Sequence, residues 1–130
     1  MFSHVTIGTD DLARAAPFYD AALAPLGIGR VPSKYQGWAA WQRPGEAAKL
    51  WVGRPFNGLP ASWGNGSMAA FTAPSRAAVD AAYAAAMAGG GRDEGAPGLR
   101  PKFAPDYYGA YVRDPDGNKL HFVRRGEESA

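Results

Sequence analysis

The chain has 130 residues, of which 46% are hydrophobic and 20% charged, so it is long enough for one well-filled core and short for two. It contains no cysteine, which excludes disulfides and thiolate metal sites, and no apolar run of membrane-spanning length. The net charge is only +2 and the basic residues are scattered, apart from Arg124 and Arg125, so we expect neither a nucleic-acid nor a membrane partner. The N-terminus has no basic region before an apolar core, and the expected location is therefore cytoplasmic.

The first predicted elements are a strand and a helix. Residues 2–7 alternate between two sides, which is typical of a strand. Asp10 or Asp11 can cap the helix that follows, because each carboxylate can accept from the unpaired N–H groups of a first turn. Apolar residues then recur at helical spacing from 12 to 26, and Gly27 marks the end of that helix.

A hairpin completes the first half. Two apolar segments within residues 35–53 flank the turn RPGE at 43–46, a pattern typical of two antiparallel strands. A short strand near 29–31 is also expected before the hairpin. Residues 54–66 are rich in Gly, Pro and Asn and predict the loop between two halves.

The second half begins the same order again. Residues 67–91 predict a strand, a helix that starts at Pro-Ser 74–75, and a glycine stop. Residues 91–105 are expected to be mostly loop, and residues 106–125 form a second predicted hairpin. The last five residues, GEESA, are expected to be a frayed tail.

The repeat is visible in individual residues. At a shift of 64 residues His4 falls on Met68, and at a larger shift KLWV at 49–52 matches KLHF at 119–122. Few identities are involved, but the order of strand, helix and hairpin is the same in both halves.

The repeated order predicts the fold class. We expect a single α+β domain over residues 1–130, made of two βαβββ modules at 1–56 and 66–125 in a pseudo-twofold arrangement. A helix covers only one face of each sheet, so the two sheets are expected to form a curved mixed surface around a cleft. A small ligand would bind in that cleft.

Three stretches of the chain resemble a known family. They are residues 4–23, 73–91 and 106–120, the last of which contains the motif RDPDGN. They resemble the vicinal oxygen chelate superfamily, which includes glyoxalase I, the bleomycin and fosfomycin resistance proteins, and extradiol dioxygenases. The resemblance implies the paired βαβββ fold, a cleft between modules and commonly a homodimer.

The resemblance also implies four metal-ligand positions, which here are His4, Trp51, Met68 and His121. Enzymes of the family typically have His or Glu at these positions. A thioether is a soft ligand and an indole has no lone pair to offer, so two imidazoles remain where catalytic sites usually provide three protein ligands. We therefore expect no cofactor, the alternative being zinc, nickel, manganese or iron held by His4 and His121.

Aromatic and apolar side chains are the other candidates. They favour strands and fill cores, but some of them should line the cleft. Trp63, in the connecting loop, is expected to be a buried staple or a dimer contact. His4 and His121 are candidate catalytic residues, as a general base or a hydrogen-bond donor, or else wall histidines bonded to water or backbone. The candidate ligand-binding residues are Trp51, Met68, Tyr107 and Tyr108.

Two functions from different classes remain open. The first is a small-molecule-binding protein of the antibiotic-sequestering type, with a degenerate metal site, that holds an aromatic, amphipathic or cationic compound without turnover. The alternative is an enzyme, a metal-dependent glyoxalase-like lyase or isomerase or a dioxygenase, that uses His4 and His121. A stoichiometric divalent metal would favour the enzyme.

Overall fold

Each half of the chain forms a four-stranded mixed sheet with one long helix in the computed structural model, which describes residues 1–126. The elements of module 1 are β1 (His4–Gly8), α1 (Leu12–Leu23), the 3₁₀ turn Ala24–Leu26, β2 (Gly29–Val31), β3 (Trp38–Gln42) and β4 (Lys49–Gly53). Those of module 2 are β5 (Ala69–Thr72), α2 (Arg76–Ala88), β6 (Arg92–Leu99), β7 (Tyr108–Arg113) and β8 (Lys119–Arg124).

The two sheets have the same topology. The strand orders are β1-β4-β3-β2 and β5-β8-β7-β6. In each sheet the first and last strands of the module pair in parallel, and the other neighbours are antiparallel. The predicted α+β fold of two βαβββ modules is confirmed, as is the short strand near 29–31. The predicted frayed tail lies outside the described residues from position 127 onward.

The helices begin where capping chemistry allows. Of the two candidate aspartates Asp11 caps α1, since its carboxylate accepts from the N–H of Arg14 at 3.1 Å. Asp10 instead accepts from the N–H of Ala61 in the connecting loop. The 3₁₀ turn after α1 ends at Gly27, whose φ of 78° is the left-handed conformation that favours glycine.

The expectation that residues 91–105 are mostly loop is wrong for their first half. Strand β6 (Arg92–Leu99) pairs with β7, and its register shifts twice around Gly95. Glycine and Pro97 suggested loop, but β6 is an edge strand with bulges, where a missing N–H and an interrupted ladder are tolerated.

The core lies between the helices and one face of each sheet. Helix α1 packs against α2, and the buried side chains of both modules join one continuous cluster. Trp41 is fully buried in this cluster, and its Nε1 donates to Asp20 at 3.0 Å, which satisfies the indole N–H.

The turn at 114–118 of module 2 joins the two modules. The carboxylate of Asp114 is 2% exposed and accepts from the hydroxyl of Tyr19 in α1, from the N–H groups of residues 116 and 118, and from the Asn118 amide. Asn118 in turn donates to the Gly8 carbonyl at 3.1 Å. Asp116 accepts from the Thr9 hydroxyl at 2.7 Å. We call residues 114–118 the junction turn.

Module 1 reaches back to module 2 through its own hairpin turn. The guanidinium of Arg43 donates to the carbonyls of Thr72 and Leu26, and it also pairs with Glu46. The modules are thus connected from both hairpins, and their relative position is fixed by hydrogen bonds as well as by apolar packing. No helix within residues 1–126 is long and apolar enough to cross a membrane.

Candidate functional site

The face of each sheet that lies opposite the helices carries the candidate residues other than Tyr108. Strand register places Thr6 and Ala40 on either side of Trp51 in module 1. In module 2 the equivalent row is Ala70, His121 and Tyr111. We call these surfaces the open faces of the two modules. Trp51 and His121 therefore occupy equivalent positions, as the repeat in the sequence indicated.

The open face of module 1 contains a cavity of about 370 Å³. Its wall is largely aromatic, with one imidazole and the hydroxyl groups of Thr6 and Tyr35, which is the mixture typical of small-molecule sites. No residue of its described lining is an aspartate or a glutamate. We call it the aromatic cavity, and it is lined by His4, Thr6, Tyr35, Trp38 and Trp51.

Two local contacts shape the aromatic cavity. The indole of Trp38 lies directly over Gly53, where a Cβ would overlap the ring, so this tryptophan can lie flat only because its neighbour is glycine. Tyr35 meets Trp51 edge to face, with ring centroids 5.6 Å apart. The cavity thus has preformed aromatic walls.

His4 is exposed at one side of the aromatic cavity. Its Nδ1 is hydrogen-bonded to the hydroxyl of Ser3 at 2.9 Å, and its backbone lies opposite Lys49 in the parallel pair of strands. Within the described residues its Nε2 has no hydrogen-bond partner, so this nitrogen is available to a ligand.

His121 has a different environment. It is 1% exposed, and its ring stacks on Tyr111 with centroids 4.0 Å apart. The carbonyl of Ala110 can only accept, so Nδ1 carries the proton and donates to it at 2.9 Å, while Nε2 accepts from the Tyr107 hydroxyl at 2.7 Å. Both ring nitrogens are therefore satisfied within the protein.

The electrostatic environment keeps His121 neutral. Burial lowers its pKa below the ordinary value of 6.5, the hydrogen bond to Ala110 opposes that shift, and the cationic Arg100, Arg125 and Lys119 lower the pKa further. This histidine is part of the packed interior of module 2.

The four candidate ligand-binding residues lie in four different places. Tyr107 is 8% exposed and bonded to His121, whereas Tyr108 points to the opposite side of the sheet and donates to Asp80 on α2. Met68 borders a separate depression of about 310 Å³ between β1 and β5. Of the candidate ligand-binding residues, only Trp51 lies in the aromatic cavity. Trp63 is 47% exposed and lies over Gly117 of the junction turn.

The residues present do not fit the metal that the family resemblance implies. The two imidazoles do not line a common cavity, and one of them uses both nitrogens in internal hydrogen bonds. Trp51 and Met68 add no suitable donor. Nowhere in residues 1–126 do three or more His, Asp or Glu side chains come together in a group able to hold a metal ion.

Comparison with known proteins agrees with this architecture. The chain belongs to the Glyoxalase/Bleomycin resistance protein/Dioxygenase superfamily, whose family model matches residues 1–122. A crystal structure of a glyoxalase/bleomycin resistance protein from Albidiferax ferrireducens T118 is 44% identical, with a TM-score of 0.85 over 97% of this chain and 99% of that one. No curated protein is significantly similar in sequence.

More distant structures share the fold alone. Lactoylglutathione lyase from Agrobacterium tumefaciens is 21% identical, with a TM-score of 0.64, and the match covers 95% of this chain and 92% of that one. TnmS3, an antibiotic binding protein from Streptomyces sp. CB03234, is 18% identical, with a TM-score of 0.66 and coverage of 97% and 96%. The fold thus occurs both in a lyase and in a binding protein.

Proposed function

We propose that this protein binds a planar aromatic or amphipathic small molecule in the aromatic cavity of module 1, without a metal and without turnover. The observation that carries the proposal is the composition of the cavity, which offers the rings of Tyr35, Trp38 and Trp51 and a single imidazole. Such a site gains affinity from burying flat apolar surface and orientation from a few polar groups.

The state of the second histidine supports binding over metal-dependent catalysis. A family-type reaction needs a metal with open positions and a carboxylate to neutralise it or to move a proton. In this chain His121 is neutral, buried and bonded to Tyr107 and Ala110, and the described lining of the cavity lacks a carboxylate. The fold is also suited to binding, since TnmS3 is an antibiotic binding protein.

A titration with the neutral dye N-phenylnaphthylamine tests the proposal, because its fluorescence rises in an apolar aromatic site. We expect saturable binding of one dye per chain, weakened at least about tenfold in Trp51→Ala, which removes one wall of the cavity. Trp63→Ala, which removes an indole outside the cavity, is the matched control and should bind normally. Equal binding by both variants, or no saturable binding by the wild type, would contradict the proposal.

Elemental analysis of protein prepared without a histidine tag tests the metal-dependent alternative. We expect no stoichiometric zinc, nickel, manganese or iron, and no activation when these ions are added. One divalent metal per chain that disappears in His4→Ala would overturn the metal-free proposal and favour the enzyme.

A further inference from the structure

We infer that the aromatic cavity selects an aromatic compound that carries an acidic group, such as a carboxylate, sulfonate or phosphate. This inference rests on the proposed function and narrows its ligand class. It depends on Lys34 and Lys49, two lysines whose ammonium groups lie over aromatic rings of the cavity wall.

Lys49 is placed at the cavity by strand register. It lies two residues before Trp51 on β4, on the same face of the sheet, and opposite His4 on β1. Its Nζ is 5.9 Å from the centroid of the Trp51 ring. The ammonium group therefore lies beside the indole wall, on a residue whose backbone is paired with that of His4.

Lys34 repeats this arrangement on the other aromatic side chain. Its Nζ lies 5.6 Å from the ring centroid of Tyr35. The cavity thus has an ammonium group over each ring of its edge-to-face pair.

These two charges differ from four of the ten arginines of the chain in having no acidic partner. Ion pairs formed by Arg14, Arg30, Arg43 and Arg113 neutralise those cations elsewhere on the surface. Among the described residues, neither lysine of the cavity pairs with a carboxylate. Positive charge without a counter-charge beside an apolar wall creates an electrostatic potential that favours an anion, because the surrounding medium screens less than bulk water does.

The same arrangement disfavours a cationic ligand. Cations bind aromatic sites by lying over ring faces, and here the protein's own ammonium groups already lie over Trp51 and Tyr35. A cationic ligand would meet the positive charge of a lysine at both rings. Of the ligand classes open from the sequence, the structure therefore favours an anionic aromatic compound.

A matched pair of dyes separates this inference from the proposed function. Anilinonaphthalene sulfonate and N-phenylnaphthylamine share their ring system and differ by the sulfonate. In low salt we expect the sulfonate to bind about tenfold more tightly, with one dye per chain by calorimetry, and the difference to shrink as salt screens the lysines. Trp51→Ala should weaken both dyes, because both use the same wall.

Removing one charge tests the mechanism. Lys49→Met should weaken binding of the sulfonate about threefold more than binding of the neutral dye, because Lys34 retains part of the preference. Lys102→Met is the matched control, since Lys102 lies over the ring of Phe103 in module 2 and its loss changes the net charge equally. Lys102→Met should leave the preference for the sulfonate over the neutral dye unchanged.

Each other outcome overturns the inference alone or the inference together with the proposed function. Equal affinity for both dyes, or an equal effect of Lys49→Met and Lys102→Met, contradicts the acidic-ligand inference while the proposed function stands. Failure of both dyes to bind contradicts the proposed function and the inference together.

Discussion

The open faces of the two modules have the same strand register and opposite contents. In module 1 the small Ala40 lies beside Trp51, and a cavity remains above the sheet. In module 2 the large Tyr111 lies beside His121 and stacks on it, which fills the equivalent space. In this duplicated sheet one copy of the surface leaves the cavity proposed to bind a ligand, and the other copy is filled by packed side chains.

Each module has a ring that lies over a glycine, but the glycine is on a different strand in each module. Trp38 lies over Gly53 in module 1, whereas in module 2 the His121 ring lies over Gly109. By register Trp38 is equivalent to Gly109, and Gly53 is equivalent to Val123. Each module therefore has a glycine that leaves room for a ring, which borders the aromatic cavity in module 1 and is buried in module 2.

The largest expected effect concerns the contacts that module 2 provides to the whole molecule. Asp114→Ala should lower the free energy of unfolding by about 3 kcal/mol, because it leaves the Tyr19 hydroxyl and two backbone N–H groups without their buried acceptor. Chemical denaturation measures this loss. Asp10→Ala, which removes an exposed carboxylate, is the control, and a similar loss in both variants would argue against the junction turn as a stabilising element.

Truncating the side chains at the equivalent positions 121 and 51 gives the next largest effect. His121→Ala should cost about 2 kcal/mol of stability, since it creates a void and leaves the Tyr107 hydroxyl without its partner, yet the neutral dye should bind as before. Trp51→Ala should show the reverse, with weak dye binding and a smaller loss of stability. If His121→Ala abolished dye binding in a protein that remains folded, the two faces would not have separate roles.

A methyl group added to each glycine sharpens the comparison. At Gly109 the new Cβ would lie 2.5 Å from Cε1 of His121, so Gly109→Ala should lower stability by about 1–3 kcal/mol through overpacking. At Gly53 it would displace Trp38, so Gly53→Ala should weaken dye binding in addition to lowering stability. Thermal melts and dye titrations of both variants distinguish these results, and normal dye affinity in Gly53→Ala would contradict the assigned wall.

The smallest effect is a pH dependence in module 2. Because the pKa of His121 is lowered in the folded state, the unfolded chain binds more protons just below pH 6.5, and stability should fall as the pH decreases through that value. The loss should be below about 1.4 kcal/mol per pH unit. The Gln side chain of His121→Gln can also donate to Ala110 and accept from Tyr107. Chemical denaturation of this variant between pH 7.5 and about 5.5 should show a free energy of unfolding that falls less steeply with decreasing pH than in the wild type. An unchanged slope would assign the dependence to other groups.

Local patterns were sufficient to predict the fold. The alternation of residues 2–7, the helical spacing from 12 onward and the turn chemistry of both hairpins each specify an element that the structure contains, and their repetition specifies the pairing of modules. Strand β6 was missed because glycine and proline have a different meaning on an edge strand, and an edge position is a property of the assembled sheet.

The site could be predicted only where strand parity decides the answer. His4 and Trp51 face the same side by their spacing along paired strands, but Trp38 joins them only through the hairpin register, which depends on the length of the turn. Tyr107 and Tyr108 are consecutive, so only one of them can point to the open face of module 2. The position at which β7 begins determines which of the two it is. The hydrogen bonds of His121 depend on side chains that meet only after folding.

The separation of the junction turn from the aromatic cavity has a consequence for protein engineering. The junction turn holds the modules together through Tyr19, Thr9 and Gly8, none of which lines the cavity. A library that randomises Thr6, Tyr35 and Trp38 would thus leave this scaffold untouched. We expect most such variants to remain folded, so this cavity is a good starting point for selecting new ligand specificities.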